Sequence, residues 1–150
     1  VEEVKRAARL WDGNGAMVFT GSGSVFAEKD GGLVTERSPT APEPSERQKL
    51  LLEAESAALE AGGCVVRFAG LYSRTRGPHV FWMRSGKVSG GPHGMVNLIH
   101  YEDAGSLVAA VLEKQMKGQL LLGCDDQSLT REEIAAAALK LPEYSATALP

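Results

Sequence analysis

The sequence predicts an α/β fold that forms part of a doubly wound parallel sheet. Short apolar runs, each as long as a buried strand, occupy residues 16–20, 64–70 and 119–124. Segments with the apolar spacing of helices lie between these runs. A strand, a helix and a second strand in this order form a right-handed parallel crossover in nearly every known case. We therefore expect three neighbouring parallel strands with helices packed on the sheet.

The first two predicted helices have clear end signals. Residues 1–11 carry apolar side chains at spacings of three and four, and the Asp-Gly-Asn-Gly turn that follows ends this helix. Ser45 and Gln48 have the spacing of a capping box, in which each side chain covers the other's unpaired backbone N–H. The helix that begins there has a wide apolar face and ends at Gly62.

The second half of the chain contains one ambiguous segment and two further helices. Residues 73–95 hold seven glycines and prolines around an apolar patch at 80–83, so this segment is either a short lid helix or a surface loop. Asp103 is placed to cap a helix over residues 104–114. A second capping box starts the last helix at Thr130.

Composition excludes several classes of protein. The net charge of −3 and the pI near 5.6 argue against nucleic-acid binding, which normally needs a basic patch. No apolar run approaches the roughly 20 residues of a membrane span, and no signal peptide is visible. Cys64 and Cys124 adjoin apolar runs and are interpreted as reduced core residues. We expect a soluble, intracellular protein, with cytoplasm and organelle interior left open.

The residues that follow the first strand have the chemistry of a site. Thr20, Ser22 and Ser24 bring hydroxyl groups to the carboxyl end of this strand, where open α/β sheets bind ligands. The polar link over residues 27–44 is too long for an ordinary connection, and long links of this kind are often functional.

Four motifs carry a resemblance to a known family. Ser22 stands three residues before a Val-Phe pair, residues 44–55 resemble a Tyr-x-x-x-Lys-x-x-x-Glu helix, and residues 65–72 resemble a Leu-Arg…Val-Tyr-Gly strand and loop. The Asn-Leu-Ile-His-Tyr-Glu-Asp run at 97–103 is the most specific of the four. Over residues 16–139 the chain resembles the C-terminal half of extended short-chain dehydrogenase/reductases, the epimerase/dehydratase group of Rossmann proteins.

The resemblance implies a set of site residues. Ser22 would be a catalytic hydroxyl that polarises a substrate oxygen, and Arg47 would be an anion-binding group that faces the substrate. A plain turn serine and a solvated first-turn arginine are the alternatives. His100 would touch the substrate or be a structural histidine. The remaining implied residues are Thr20, Gly21, Gly70, Leu71 and Tyr72 for the cofactor, and Ser24 with His100 for the substrate.

The chain departs from the family at its proton-transfer groups. Arg47 and Leu51 occupy the positions of the family's catalytic Tyr and Lys. Arginine stays protonated at neutral pH and cannot accept a proton, and leucine cannot hold a ribose hydroxyl. The three histidines and two cysteines have no zinc-type spacing, so we expect no metal.

The family's glycine-rich pyrophosphate loop has no counterpart in this sequence. Gly21 and Gly23 form only a Gly-x-Gly. We therefore expect residues 1–150 to be a single domain, the C-terminal portion of a Rossmann-type protein whose sheet lacks the N-terminal dinucleotide-phosphate strands. NAD or NADP would bind the full-length protein, and this chain weakly or not at all. The open sheet edge would favour self-association.

Two functions follow from these expectations. The first is an NAD(P)-dependent oxidoreductase or epimerase that acts on an unknown small molecule. The second is a catalytically inactive member that binds a nucleotide or a partner protein through the inherited cleft. Retained Ser22 favours the first, and the replaced Tyr and Lys favour the second.

Overall fold

The computed structural model describes residues 1–147 and divides the chain into two compact units. Unit 1 comprises residues 1–69 and 102–123, and unit 2 comprises residues 70–101 and those from 124 onwards. The helices and strands follow in the order α1 (Glu2–Leu10), β1 (Val18–Ser22), α2 (Glu46–Glu60), β2 (Cys64–Phe68), β3 (Gly70–Tyr72), α3 (Pro78–Ser85), β4 (Met95–Val96), β5 (Leu98–His100), α4 (Tyr101–Glu113), β6 (Leu120–Gly123), β7 (Leu129–Thr130) and α5 (Arg131–Leu139).

Unit 1 contains the predicted parallel sheet, with the strand order β1-β2-β6. This confirms the α/β class and the parallel arrangement of the three apolar runs. β2 is central and buried along its whole length. β1 is an edge strand and only half-buried, with Thr20 exposed, although its apolar run is typical of a buried strand. It also ends two residues later than predicted, at Ser22.

Two of the three predicted helix caps are confirmed. The backbone N–H of Ser45 donates to Gln48 Oε1 over 2.8 Å, and the Ser45 hydroxyl accepts from the N–H of Gln48. Thr130 and Glu133 form the same arrangement at α5. The cap at Asp103 was wrong, because α4 begins at Tyr101, directly after β5. Asp103 instead lies in the first helical turn, where a carboxylate interacts favourably with the helix dipole.

A buried ion pair ties α2 to the central strand. Glu55 is 2% exposed and Arg67 is 6% exposed. Arg67 Nε donates to Glu55 Oε2 over 3.0 Å, and Arg67 Nη2 donates to the same oxygen over 2.7 Å. The guanidinium also lies 4.8 Å from the centre of the Phe26 ring. Arg67 projects toward α2, so Phe68, the next residue along β2, projects to the opposite face.

The long link over residues 27–44 is anchored at two points in unit 1. The N–H of Ala27 donates to the carbonyl of Pro39 over 3.0 Å, beside a bridge between Phe26 and Thr40. Further along, the Glu36 carboxylate accepts from the backbone N–H of Leu122 over 3.2 Å. The link is therefore held against both the end of β1 and the outer edge of β6.

Unit 2 contains two small sheets. β3 pairs with β5 in parallel, whereas β4 pairs with β7 antiparallel. The antiparallel β4–β7 pair is separate from the predicted parallel sheet of unit 1. The ambiguous segment forms helix α3, whose Trp82 and Met83 pack in a core with Leu98, Ile134 and Ala138. The apolar patch is a core helix, not a surface loop.

No helix within residues 1–147 combines the length and the apolar character needed to cross a membrane.

We predict that Glu55→Ala destabilises the protein by about 3–5 kcal/mol, because it leaves the Arg67 charge buried without its partner. Glu53→Ala is the matched control on the same helix, because Glu53 pairs with Lys5 at the surface, where ion pairs contribute little. Urea unfolding of both variants measures the difference. Equal loss of stability in the two variants would contradict the assigned role of the buried pair.

Candidate functional site

The structure places the predicted site residues in both units. Unit 1 carries the hydroxyl-bearing end of β1 and the first turn of α2. Unit 2 carries the β3–β5 pair. The unit 1 residues are Thr20, Gly21, Ser22, Ser24 and Arg47, and the unit 2 residues are Gly70, Leu71, Tyr72 and His100.

Ser22 and Ser24 form a hydroxyl pair at the carboxyl end of β1. Ser22 is the last residue of the strand, and Ser24 lies in the short 3-10 helix that follows. The Ser22 hydroxyl donates to Ser24 Oγ over 3.0 Å and accepts from the N–H of Ser24 over 3.3 Å. Gln48 Nε2 donates to the Ser24 carbonyl over 2.6 Å and thereby ties the pair to α2. Ser22 is half-buried, whereas Ser24 is exposed.

Gly21 is required by the packing of unit 1. A Cβ at this position would lie 2.5 Å from Glu55 Oε1 and 3.6 Å from Arg67 Cγ. Glu55 is held by two hydrogen bonds from Arg67 Nε and one from Nη2, so its carboxylate cannot move aside at low cost. The space beside Gly21 is therefore occupied by the Glu55 carboxylate of the protein itself.

Arg47 is exposed in the first turn of α2. Among residues 1–147, no hydrogen bond joins its guanidinium to the hydroxyl of Ser22, which is bonded to Ser24. Its role as an anion-binding group stays a prediction.

In unit 2, Tyr72 and His100 are register partners on the parallel strands β3 and β5. Their rings lie edge to face, with centres 5.2 Å apart and planes at 74°. At the start of the same pair, a Cβ at Gly70 would lie 2.8 Å from Leu98 Cδ2. As at Gly21, the space beside this glycine is occupied by a side chain of the protein.

Tyr72 and His100 both line a cavity of about 520 Å³, which we call the unit 2 cavity. Part of its wall is polar and part is apolar. The polar lining residues are Tyr72, Ser73, Arg74, His79, His100, Asp125 and Gln127, and the apolar ones are Val96, Leu98, Leu129, Ile134, Ala137, Ala138 and Leu141. This volume lies within the range of about 300–1,000 Å³ that is typical of small-molecule sites.

Sequence reasoning missed most of this cavity. Asp125 lies two residues after the end of β6 and is a strand-end carboxylate, but from the sequence a turn explained it more simply. His79 lies on α3 and is 8% exposed, with Nε2 3.5 Å from the carbonyl oxygen of Arg74. No sequence spacing connects these two residues, because the fold of unit 2 brings their elements to one cavity.

Arg74 forms an ion pair with Glu143. Arg74 Nε and Nη2 donate to the two carboxylate oxygens of Glu143 over 3.1 and 3.3 Å. The hydrogen bond from Arg74 holds the pKa of Glu143 below its ordinary value of 4.5. The same bond raises the pKa of Arg74, so both groups are charged at neutral pH.

Within residues 1–147, no group of three or more His, Cys, Asp and Glu side chains is arranged to hold a metal ion.

Comparison with solved structures shows the fold that this chain shares. A dTDP-glucose 4,6-dehydratase from Bacillus anthracis, in complex with NAD, is 18% identical with a TM-score of 0.76, over 99% of this chain and 51% of that one. MoeE5, in complex with UDP-glucose and NAD, is 16% identical with a TM-score of 0.80, over 99% and 56%. A functionally unknown conserved protein from Silicibacter pomeroyi is 24% identical with a TM-score of 0.74, over 99% and 50%.

These neighbours confirm the Rossmann-type fold and its partial extent. The chain spans about half the length of the solved structures that it matches. No protein-family model and no curated protein sequence matches it.

We predict that Gly21→Ala destabilises the protein by about 1–3 kcal/mol, because the added methyl group overlaps the clamped Glu55 carboxylate. Gly23→Ala is the control, since its nearest contact would be an ordinary 3.4 Å. Thermal unfolding of both variants tests this. Unchanged stability of Gly21→Ala would show that the carboxylate is not clamped.

We predict that the Arg74–Glu143 pair makes stability depend on pH on the acid side. Because the folded-state pKa of Glu143 is lowered, its contribution is present above the ordinary pKa of 4.5 and is lost as the pH falls through the lowered pKa. Glu143→Gln should therefore be less stable than the wild type at about pH 7, and the difference should shrink toward about pH 3.

Urea unfolding at several pH values measures this, with the exposed Glu3→Gln on α1 as the control. A difference between wild type and Glu143→Gln that stays constant with pH would refute the assignment.

Proposed function

We propose that this chain forms the nicotinamide- and substrate-binding part of an NAD(P)-dependent oxidoreductase or epimerase of the short-chain dehydrogenase/reductase family, acting on a small molecule. The observation that supports it best is the hydroxyl pair of Ser22 and Ser24 at the carboxyl end of a parallel strand. Ligands of doubly wound sheets bind beyond this edge. The shared fold with two NAD complexes supports the same proposal.

The residues of this chain fit one end of such a dinucleotide. The hydroxyl of Thr20 can form a hydrogen bond at the nicotinamide end. Within residues 1–147, no glycine-rich turn follows a strand and opens a helix, as a pyrophosphate site requires. We therefore expect the phosphates to be bound by residues outside this chain, in a longer protein.

The proposed chemistry assigns separate tasks to these groups. The hydride would be supplied or accepted by a dinucleotide when one is bound. The hydroxyls of Ser22 and Ser24 hold and polarise a substrate oxygen, and Arg47 attracts an anionic group. Because Arg47 cannot accept a proton, proton transfer falls to a water molecule held by Ser22 and Arg47.

The second candidate is a catalytically inactive nucleotide-binding or protein-interaction member. Arg47 and Leu51, at the positions of the family's Tyr and Lys, favour it. Restoring both groups with Arg47→Tyr and Leu51→Lys separates the candidates. A large gain in turnover would favour an inactive natural protein, whereas no gain over an active wild type would favour the first proposal.

We predict that the natural full-length protein binds NADH or NADPH, and that the 150-residue chain binds either weakly or not at all. Calorimetric titration of both proteins with both dinucleotides measures this. In the full-length protein, Ser22→Ala should lower kcat about a hundredfold on any carbonyl substrate found, because it removes a polarising hydroxyl.

Ser56→Ala, on the surface of α2, is the control for this variant. Absence of dinucleotide binding by the full-length protein would eliminate the oxidoreductase proposal. Unchanged turnover of Ser22→Ala would remove Ser22 from the mechanism.

A further inference from the structure

We infer that the unit 2 cavity binds an uncharged, largely apolar alcohol or carbonyl compound, rather than a nucleotide sugar. The inference concerns a binding site within unit 2 and does not depend on the roles proposed above for Ser22, Ser24 and Arg47 of unit 1. It is drawn from the volume of the cavity, its apolar wall and the charges at its polar end.

The apolar wall of the cavity favours a ligand whose surface is mostly apolar. Leu98 of β5 and Ile134 of α5 are both buried in the core of unit 2 and contribute to the lining. On α5, the lining residues Ala137 and Ala138 are small, so their side chains leave volume beside the helix. A wall of this kind stabilises a bound hydrocarbon or aromatic group through burial of apolar surface.

Among the described residues that line the polar end, no Lys or Arg is without an acidic partner. Arg74 is the only Lys or Arg among the described lining residues, and Glu143 already holds its guanidinium in two hydrogen bonds. Asp125 adds a half-buried carboxylate. With Glu143 offsetting Arg74, the Asp, Glu, Lys and Arg side chains at this end sum to one negative charge.

These charges select against anions. A nucleotide sugar carries a diphosphate, and burying it beside Asp125 without a free cation would be strongly unfavourable. A neutral hydroxyl can donate to the Asp125 carboxylate, and a neutral carbonyl can accept from the side-chain amide of Gln127. One uncharged oxygen function on an apolar body therefore matches both parts of the cavity.

Prodan, an uncharged naphthyl ketone whose emission shifts to shorter wavelength in apolar surroundings, is a direct probe of this site. We expect saturable, one-to-one binding to the 150-residue chain. Dansylate, a dimethylaminonaphthalene sulfonate that is anionic, should bind at least about tenfold more weakly. UDP-glucose should not displace prodan.

Two neighbouring alanines on α5 locate the binding site. Ala137 lines the unit 2 cavity, whereas Ala136 lines a separate depression of about 370 Å³. Ala137→Phe fills the cavity and should weaken prodan binding at least about tenfold, while Ala136→Phe should leave it within about twofold. Equal losses in the two variants would place the probe elsewhere and overturn the inference.

Two neighbouring aspartates test the charge argument without altering the apolar wall. Asp125→Asn removes the lining carboxylate and should reduce the difference in affinity between prodan and dansylate. Asp126 is exposed and lies outside the lining, so Asp126→Asn should leave this difference unchanged. The backbone N–H of Asp125, which donates to the Leu98 carbonyl, is kept in the asparagine variant.

Dansylate binding as tight as prodan binding, or displacement of prodan by UDP-glucose, would overturn the inference. Dinucleotide titration of the full-length protein is a separate measurement. Prodan binding without dinucleotide binding would leave this cavity assignment standing and remove the oxidoreductase proposal. Dinucleotide binding without prodan binding would overturn the cavity assignment and leave the oxidoreductase proposal standing.

Discussion

The ion pair between Glu55 and Arg67 is the constraint on which unit 1 depends. Both groups are almost fully buried, so each needs the other to offset the loss of hydration. The pair fixes α2 against β2, occupies the space beside Gly21 and places a guanidinium over Phe26. Gln48 of α2 also donates a hydrogen bond to the carbonyl of Ser24. The position of the hydroxyl pair at the end of β1 therefore depends on the Glu55–Arg67 pair that holds α2.

Much of the secondary structure of unit 1 could be predicted from short stretches of the sequence. The apolar runs predicted the three parallel strands, and the Ser45–Gln48 spacing predicted the start of α2. Both predictions succeed because strand burial and helix capping depend on residues that are close together in the sequence. The β4–β7 pairing was not predictable in this way. Each strand has two residues, and their partners lie more than thirty positions apart. The unit 2 cavity and the ion pair of Arg74 with Glu143 likewise bring together residues that are far apart in the sequence.

The glycines show how one sequence signal can have two physical causes. The family resemblance implied that Gly21 and Gly70 bind the cofactor. In the structure, the positions of their missing Cβ atoms are approached by Glu55 and Leu98. A glycine in a strand signals that something comes close to the backbone, and the sequence alone does not distinguish a bound molecule from another part of the chain. The predicted roles of these two glycines at the cofactor stay untested.

The two edges of the unit 1 sheet are not equivalent, and the bond from Leu122 to Glu36 shows why. Gln119 and Gly123 direct their carbonyls toward β2, so by alternation the N–H of Leu122 points away from the sheet. There the Glu36 carboxylate accepts it. An incoming strand on that side would have to displace a charged acceptor, whereas within residues 1–147 no strand covers the outer side of β1. Any strand that is added to this sheet would therefore pair with β1 more easily than with β6.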